Sequence, residues 1–140
     1  MDELGVDLDE RPILVIDDEE ELRQTMLELL LEIGFEAEAV ANGQLALERL
    51  QSGPVPWLVL LDLRMPVMDG RAFRFEQRRC AALSAIPVVL VTGDREIEQH
   101  ALALGVDDYL RKPVCVGELT ELLRRLAGQR GASAAHFFAR

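Results

Sequence analysis

The sequence predicts an α/β fold, a doubly wound parallel sheet of five strands with five helices packed on its faces. Three features point there. Short apolar runs without polar interruption recur along the chain, as in strands buried on both faces. Between them lie apolar residues at three- and four-residue steps, the stripe of an amphipathic helix. The two patterns alternate, which implies parallel strands joined by right-handed crossovers.

Taken in order, Ile13-Leu14-Val15-Ile16 is a first, central strand. Leu22, Met26, Leu29, Leu30 and Ile33 form the stripe of a helix that Gly34 closes. Glu36-Ala37-Glu38-Ala39-Val40 alternates, as suits an edge strand with one exposed face. Ala46, Leu47 and Leu50 mark the second helix, and Trp57-Leu58-Val59-Leu60-Leu61 is a second central strand. Asp69 to Ala82 reads as a helix with Phe73, Gln77 and Cys80 inward, although Phe75 and four arginines, Arg71, Arg74, Arg78 and Arg79, crowd its other faces. Val88-Val89-Leu90-Val91 is the third central strand. Arg95 to Leu104 places Ile97, Ala101 and Leu104 on one side, with Gly105 as a C-cap that tolerates positive φ. Tyr109-Leu110-Arg111 is short and polar-tipped, the other edge, and Leu119, Leu122, Leu123 and Leu126 stripe a last helix that Gly128 is expected to close. With the first strand central and the second at an edge, the strand order is 2-1-3-4-5, the flavodoxin-like arrangement. Its ligands bind beyond the carboxyl ends of the strands where the winding reverses.

Composition narrows the function. The 140 residues, 49% of them hydrophobic, fit one ordinary domain with one contiguous core. A net charge of -10 and a pI near 4.6 argue against a direct nucleic-acid surface, which needs excess Lys and Arg. No run approaches the roughly 20 apolar residues of a membrane span, and MDELGVDLDE lacks the features of a signal peptide. A cytoplasmic protein is expected. Cys80 and Cys115 fall at helical positions without metal-ligand spacing, and His100 and His136 add no cluster, so the thiols read as buried or bystander groups. The expected organisation is an acidic flexible leader over 1–11, one domain over 12–127, and a flexible tail or linker stub over 128–140, where Phe137 and Phe138 hint at a small contact.

The chemistry lies where the strands end. Asp17-Asp18 follow the first strand, Asp62 closes the third, Thr92 the fourth and Lys112 the fifth. Converging carboxylates raise one another's pKa unless a cation is present, and an oxygen-only set suits a hard ion such as Mg²⁺. Each residue also has an ordinary role. Asp17-Asp18-Glu19-Glu20 suits a helix N-terminus, Asp62 a loop cap, Thr92 a strand, and Lys112 a surface. The joint placement at strand ends favours a metal-assisted phosphoryl site.

Ile16-Asp17-Asp18, Leu61-Asp62-Leu63-Arg64-Met65-Pro66-Val67-Met68-Asp69-Gly70, Val91-Thr92-Gly93 and Tyr109-Leu110-Arg111-Lys112-Pro113 resemble the signature of bacterial two-component response-regulator receiver domains, over roughly residues 12 to 127. The resemblance implies that a sensor histidine kinase or phosphotransfer protein delivers a phosphoryl group to Asp62, a nucleophilic carboxylate. It implies Mg²⁺ held by Asp17, Asp18, Asp62 and the backbone carbonyl of Arg64, with Lys112 and Thr92 contacting phosphoryl oxygens. It further implies a cis Lys112-Pro113 bond and a switch in which Thr92 moves and Tyr109 turns inward. The surface that changes would comprise Arg95 to Leu104, Tyr109 to Arg111 and Cys115 to Leu126, facing an unknown output partner or a phosphorylation-dependent dimer. Arg64 and Asp94 hold positions that tune phosphoryl lifetime in such domains, and a pair between them is expected to hinder attacking water. Trp57 departs from the family pattern, at the strand end away from the site.

Rival readings fare worse. A phosphatase of the haloacid dehalogenase type needs a second Asp two positions after the nucleophile, where Arg64 stands. A flavin module needs a phosphate-holding loop after the first strand, and Asp-Asp-Glu-Glu would repel it. A receiver fragment of a larger regulator or hybrid kinase stays compatible with the sequence.

Overall fold

The apolar runs become the centre of a five-stranded parallel sheet of order β2-β1-β3-β4-β5. The computed structural model describes residues 11–135, with side chains through 129. The strands are β1 (Ile13–Ile16), β2 (Ala37–Val40), β3 (Leu58–Leu61), β4 (Val88–Thr92) and β5 (Asp108–Arg111). Every residue of β1, β3 and β4 is buried, whereas β2 and β5 are partly exposed, as their alternating or polar patterns require. Register is set in parallel by pairs such as Val15 with Leu60 and Leu61 with Leu90. The strand order and the division into centre and edge match the sequence expectation.

The helices are α1 (Glu20–Ile33), α2 (Gly43–Leu50), α3 (Gly70–Arg79), α4 (Ala81–Ser84), α5 (Ile97–Leu104) and α6 (Val116–Ala135). Leu30 of α1 and Leu119, Leu122, Leu123 and Leu126 of α6 pack on one face of the sheet. Ala46 and Leu50 of α2, Phe73 of α3 and Leu83 of α4 pack on the other, continued by Ile97, Ala101 and Leu104 of α5. Trp57 is buried just before β3, its ring 5.7 Å from that of Phe35, at the end of the strand away from the acidic residues. Among the described residues no helix is long and apolar enough to cross a membrane.

Three expectations are corrected. The five expected helices are six, because the segment Asp69 to Ala82 breaks at Cys80, whose backbone is extended. Gln77 bridges the break: its buried amide donates to the carbonyls of Leu83 and Ile86 at 2.9 and 3.2 Å, tying the following segment to α3. Cys80, expected inward, is exposed, as is Cys115, so both thiols are bystanders rather than core. Arg74, by contrast, is buried, its guanidinium donating to the Leu104 carbonyl (2.9 Å), the Gly105 carbonyl (2.6 Å) and Gln77 Oε1 (2.8 Å). These bonds satisfy carbonyls at the end of α5 that the helix leaves without partners. Gly128 does not end α6, which runs on to Ala135. A helix carries an exposed glycine at a cost of only about 1 kcal/mol relative to alanine. The leader, His136, Phe137 and Phe138 lie outside the described residues.

Between β3 and α3, Val67 stands at φ +68, closing a three-residue turn in which the Met68 N–H donates to the Pro66 carbonyl at 2.7 Å. A β-branched residue is strained there, and Val67 is 81% exposed, so packing does not offset the strain. Val67→Asn is expected to raise stability by about 0.5–1 kcal/mol in urea unfolding, because asparagine tolerates positive φ. An unchanged or lower midpoint would show that the valine carries no such strain.

Candidate functional site

The sheet places five side chains at its carboxyl edge. Asp17 follows β1 and is buried; its backbone N–H donates to Val40 and its own carbonyl accepts from Arg23 Nη1 at 2.9 Å. Its Oδ1 accepts the Glu19 N–H at 2.9 Å, so part of its role is the ordinary one at the start of α1. Asp18 beside it is exposed. Asp62 follows β3, also buried, held by its N–H to the Ile16 carbonyl and with Oδ1 accepting the Leu63 N–H at 2.8 Å. Carboxylate oxygens of Asp17, Asp18 and Asp62 lie within 4.8 Å of one another.

Lys112 reaches in from the end of β5, where its peptide bond to Pro113 is cis. Its Nζ lies 2.8 Å from Asp17 Oδ2 and 3.6 Å from Asp62 Oδ2. One ammonium therefore pairs with two of the three clustered carboxylates. Burial is the main cause that raises the Asp62 carboxyl to about 6; Asp17 and Asp18 add to it, against Lys112 and the Leu63 N–H. Lys112 is raised, its burial outweighed by the bond to Asp17 and the charge of Asp62. The donor set is all oxygen, with negative charge in excess, the kind that a hard divalent ion satisfies. The residues fit Mg²⁺.

Thr92 ends β4, buried, with its hydroxyl 3.3 Å from the Asp94 N–H. Tyr109 on β5 points to the surface, donating its hydroxyl to Glu98 Oε2 at 3.0 Å. Arg64 and Asp94 form the expected ion pair between the loops after β3 and β4. An apolar cleft of about 430 Å³ opens beside the acids, between Leu22, Met26 and Leu29 of α1 and the Lys112–Val114 segment. The structure thus brings together Asp17, Asp18, Asp62 and Lys112, sets Thr92 at the adjacent strand end, and holds Tyr109 away.

One group escaped the sequence reading. His100 adds no cluster to the cysteines, but its ring lies with Asp94 and Glu96, their ligand atoms within 4.8 Å of one another. The available signal was helical spacing, since Glu96 and His100 stand four apart at the start of α5.

Comparison with known proteins agrees with the geometry. Residues 13–124 match the family described as the response regulator receiver domain. The sensory transduction protein RegX3 of Mycolicibacterium smegmatis is 38% identical over 86% of this chain and 51% of its own length. The transcriptional regulatory protein BaeR of Escherichia coli is 35% identical over 93% of this chain and 55% of its own. The chain spans about half the length of these relatives. Among solved structures, the receiver domain of a histidine kinase from Syntrophus aciditrophicus has a TM-score of 0.76 at 30% identity, covering 85% of this chain and 91% of that one. Chemotaxis protein CheY4 of Vibrio cholerae has a TM-score of 0.74 at 29% identity, covering 83% and 98%. With its doubly wound sheet, its acids at the switch point and these relatives, the chain belongs to the response-regulator receiver domains, phosphoacceptor switches of two-component signalling.

Proposed function

We propose that Asp62 is the phosphoryl acceptor of this receiver, charged by a sensor histidine kinase or phosphotransfer protein in the presence of Mg²⁺. The observation that carries the reading is the gathering of three carboxylates at the switch point of the sheet, two of them against the Lys112 ammonium. Asp17, Asp18, Asp62 and the backbone carbonyl of Arg64 would hold the ion. Bound there, it neutralises charge on the phosphoryl oxygens during transfer.

The chain's own groups do the rest. An Asp62 oxygen attacks phosphorus as the bond to the donor's imidazole nitrogen breaks, leaving an aspartyl phosphate and a free imidazole. Lys112 exchanges its bond to Asp17 for a phosphoryl oxygen, and Thr92 turns its hydroxyl to another. Tyr109 leaves Glu98 and packs inward, so the face of α5, β5 and α6 changes and meets an output partner or a second copy. The phosphoryl group shifts this equilibrium only through contacts it makes better in one state. We assign the receiver to residues 12–127, with 1–11 and 128–140 outside it.

Incubation with a small phosphodonor and Mg²⁺ is expected to add the mass of one phosphoryl group to the intact protein, and to add nothing to Asp62→Asn or in excess chelator. An unmodified wild type, or an equal gain in the variant, would reject Asp62 as acceptor.

A further inference from the structure

Asp94 lies two residues beyond Thr92, and its carboxylate is saturated with donors. Oδ1 accepts the Glu96 N–H at 2.9 Å and faces His100 Nε2 at 3.3 Å, while Oδ2 pairs with Arg64. His100 is fixed in turn by Arg71, in the first turn of α3, whose Nη2 lies 2.7 Å from the ring Nδ1. A guanidinium only donates, so Nδ1 accepts and the proton of the neutral ring sits on Nε2, the atom that faces Asp94. The four side chains form one run of polar contacts from Arg71 through His100 and Asp94 to Arg64, hydrogen-bonded at its two ends and joined in the middle by the 3.3 Å contact of His100 with Asp94. It begins on α3, crosses α5 and ends on the loop just after Asp62.

Asp94, Glu96 and His100 also have the composition of a cation site. Asp94 and His100 are committed elsewhere, however. Arg64 occupies Oδ2 of Asp94, and the nitrogen that would face a cation carries the proton.

Arg64 depends on this run of contacts for its position. Its side chain is 75% exposed, and Asp94 is its partner among the described residues. An exposed ion pair gains little over the cost of ordering two long side chains. Fixing one partner beforehand removes that partner's share of the cost, which is preorganisation. We propose that His100 is a positioning residue: it locks the Asp94 carboxylate so that Arg64 stays across the mouth of the site and slows water attack on phosphorylated Asp62. The proposal rests on Asp62 being the acceptor. In the step concerned, the oxygen of water bonds to phosphorus as the bond from phosphorus to the Asp62 oxygen breaks. The carboxylate is restored, and both water protons leave on dihydrogen phosphate.

The test is phosphate release from the phosphorylated full chain after removal of the phosphodonor. His100→Ala is expected to hydrolyse about two- to fivefold faster, the change in rate that goes with losing one partly exposed polar contact. His100→Gln, whose amide N–H replaces Nε2–H, is expected to keep the slow rate. Asp94→Ala is expected to be fast already, and adding His100→Ala to it should change nothing further. A separate measurement needs no phosphorylation: long-range ¹H–¹⁵N spectra of the imidazole should show the Nε2–H form of His100, and a mixture of forms in Arg71→Ala. The proposal is overturned if His100→Ala keeps the wild-type rate, if its effect persists undiminished beside Asp94→Ala, or if the ring is mainly Nδ1–H. A wild type that gains no phosphoryl mass would reject the acceptor reading instead, and the ring spectra would still decide whether Arg71 holds the His100 ring with Nε2–H toward Asp94.

Discussion

Gly70→Ala is expected to cost about 2–3 kcal/mol of stability and to lower phosphoryl acceptance by about a hundredfold. A methyl carbon on Gly70 would sit 2.4 Å from the carbonyl oxygen of Asp62, 3.1 Å from Leu63 Cα and 3.3 Å from the Asp62 carbonyl carbon. All three are backbone atoms, so no side chain can swing aside. Nor is that backbone free to retreat, since the Asp62 N–H is bonded to Ile16 of β1 and the Gly70 N–H to the Leu63 carbonyl, both at 2.9 Å. Relief requires α3 to lift from the sheet or the end of β3 to move. Either displaces the Asp62 carboxylate from Asp17, Asp18 and Lys112, and an error of about 1 Å is enough to lose a hundredfold in a positioned reaction. Gly93→Ala provides the control: its nearest contact would be Lys112 Cβ at 3.8 Å, ordinary packing, and a change within about 0.5 kcal/mol is expected. Urea unfolding and intact mass after phosphodonor treatment report the two effects. A Gly70→Ala protein as stable and as readily modified as wild type would mean that the loop after Asp62 is softer than its hydrogen bonds imply.

Much of this site was legible because its residues sit where a strand pattern stops. Asp62 stands out after an unbroken apolar run, and the topology that collects strand ends follows from which runs are fully apolar and which alternate. The ion pair of Arg64 with Asp94 was foreseeable because each lies two residues beyond a strand-end residue of neighbouring strands. Groups whose role depends on reaching across helices were hidden. Nothing local distinguishes Arg74 from Arg71, Arg78 and Arg79, yet the first is buried beneath the end of α5 and the second orients His100. Gln77 looked like a polar residue on an inner face, and its reach to the Leu83 and Ile86 carbonyls across the break after α3 was not legible. Gly128 carried a stop signal, yet α6 runs through it, since glycine lowers helix stability without forbidding the helical backbone. Periodicity reports one helix against the core; it does not report side chains that tie one helix to another.

Asp62→Asn is expected to stabilise the protein without divalent cations by roughly 2 kcal/mol above pH 6, and to change nothing below pH 3.8. Below 3.8 the carboxyl is protonated in the folded and the unfolded chain alike. Between 3.8 and about 6 the folded protein keeps a proton that the unfolded chain has released, so stability falls as pH rises through this window. Above it the full cost of holding an ionised Asp62 beside Asp17 and Asp18 is present. A shift of this size corresponds to at most about 3 kcal/mol, and nearer 2 once water at the open mouth screens the charges. Asparagine has nearly the shape of the neutral acid and never ionises, so it escapes the cost. Urea unfolding of both proteins across this range, in chelator and then in Mg²⁺, checks the sign. Mg²⁺ should narrow the difference, because an ion that binds the folded carboxylate cluster stabilises wild type more than a variant lacking one ligand. If Asp62→Asn were instead the less stable protein at neutral pH, attraction to Lys112 would exceed the combined burial and repulsion. The acids would then form a self-sufficient ion pair, and little electrostatic drive would remain to recruit a cation.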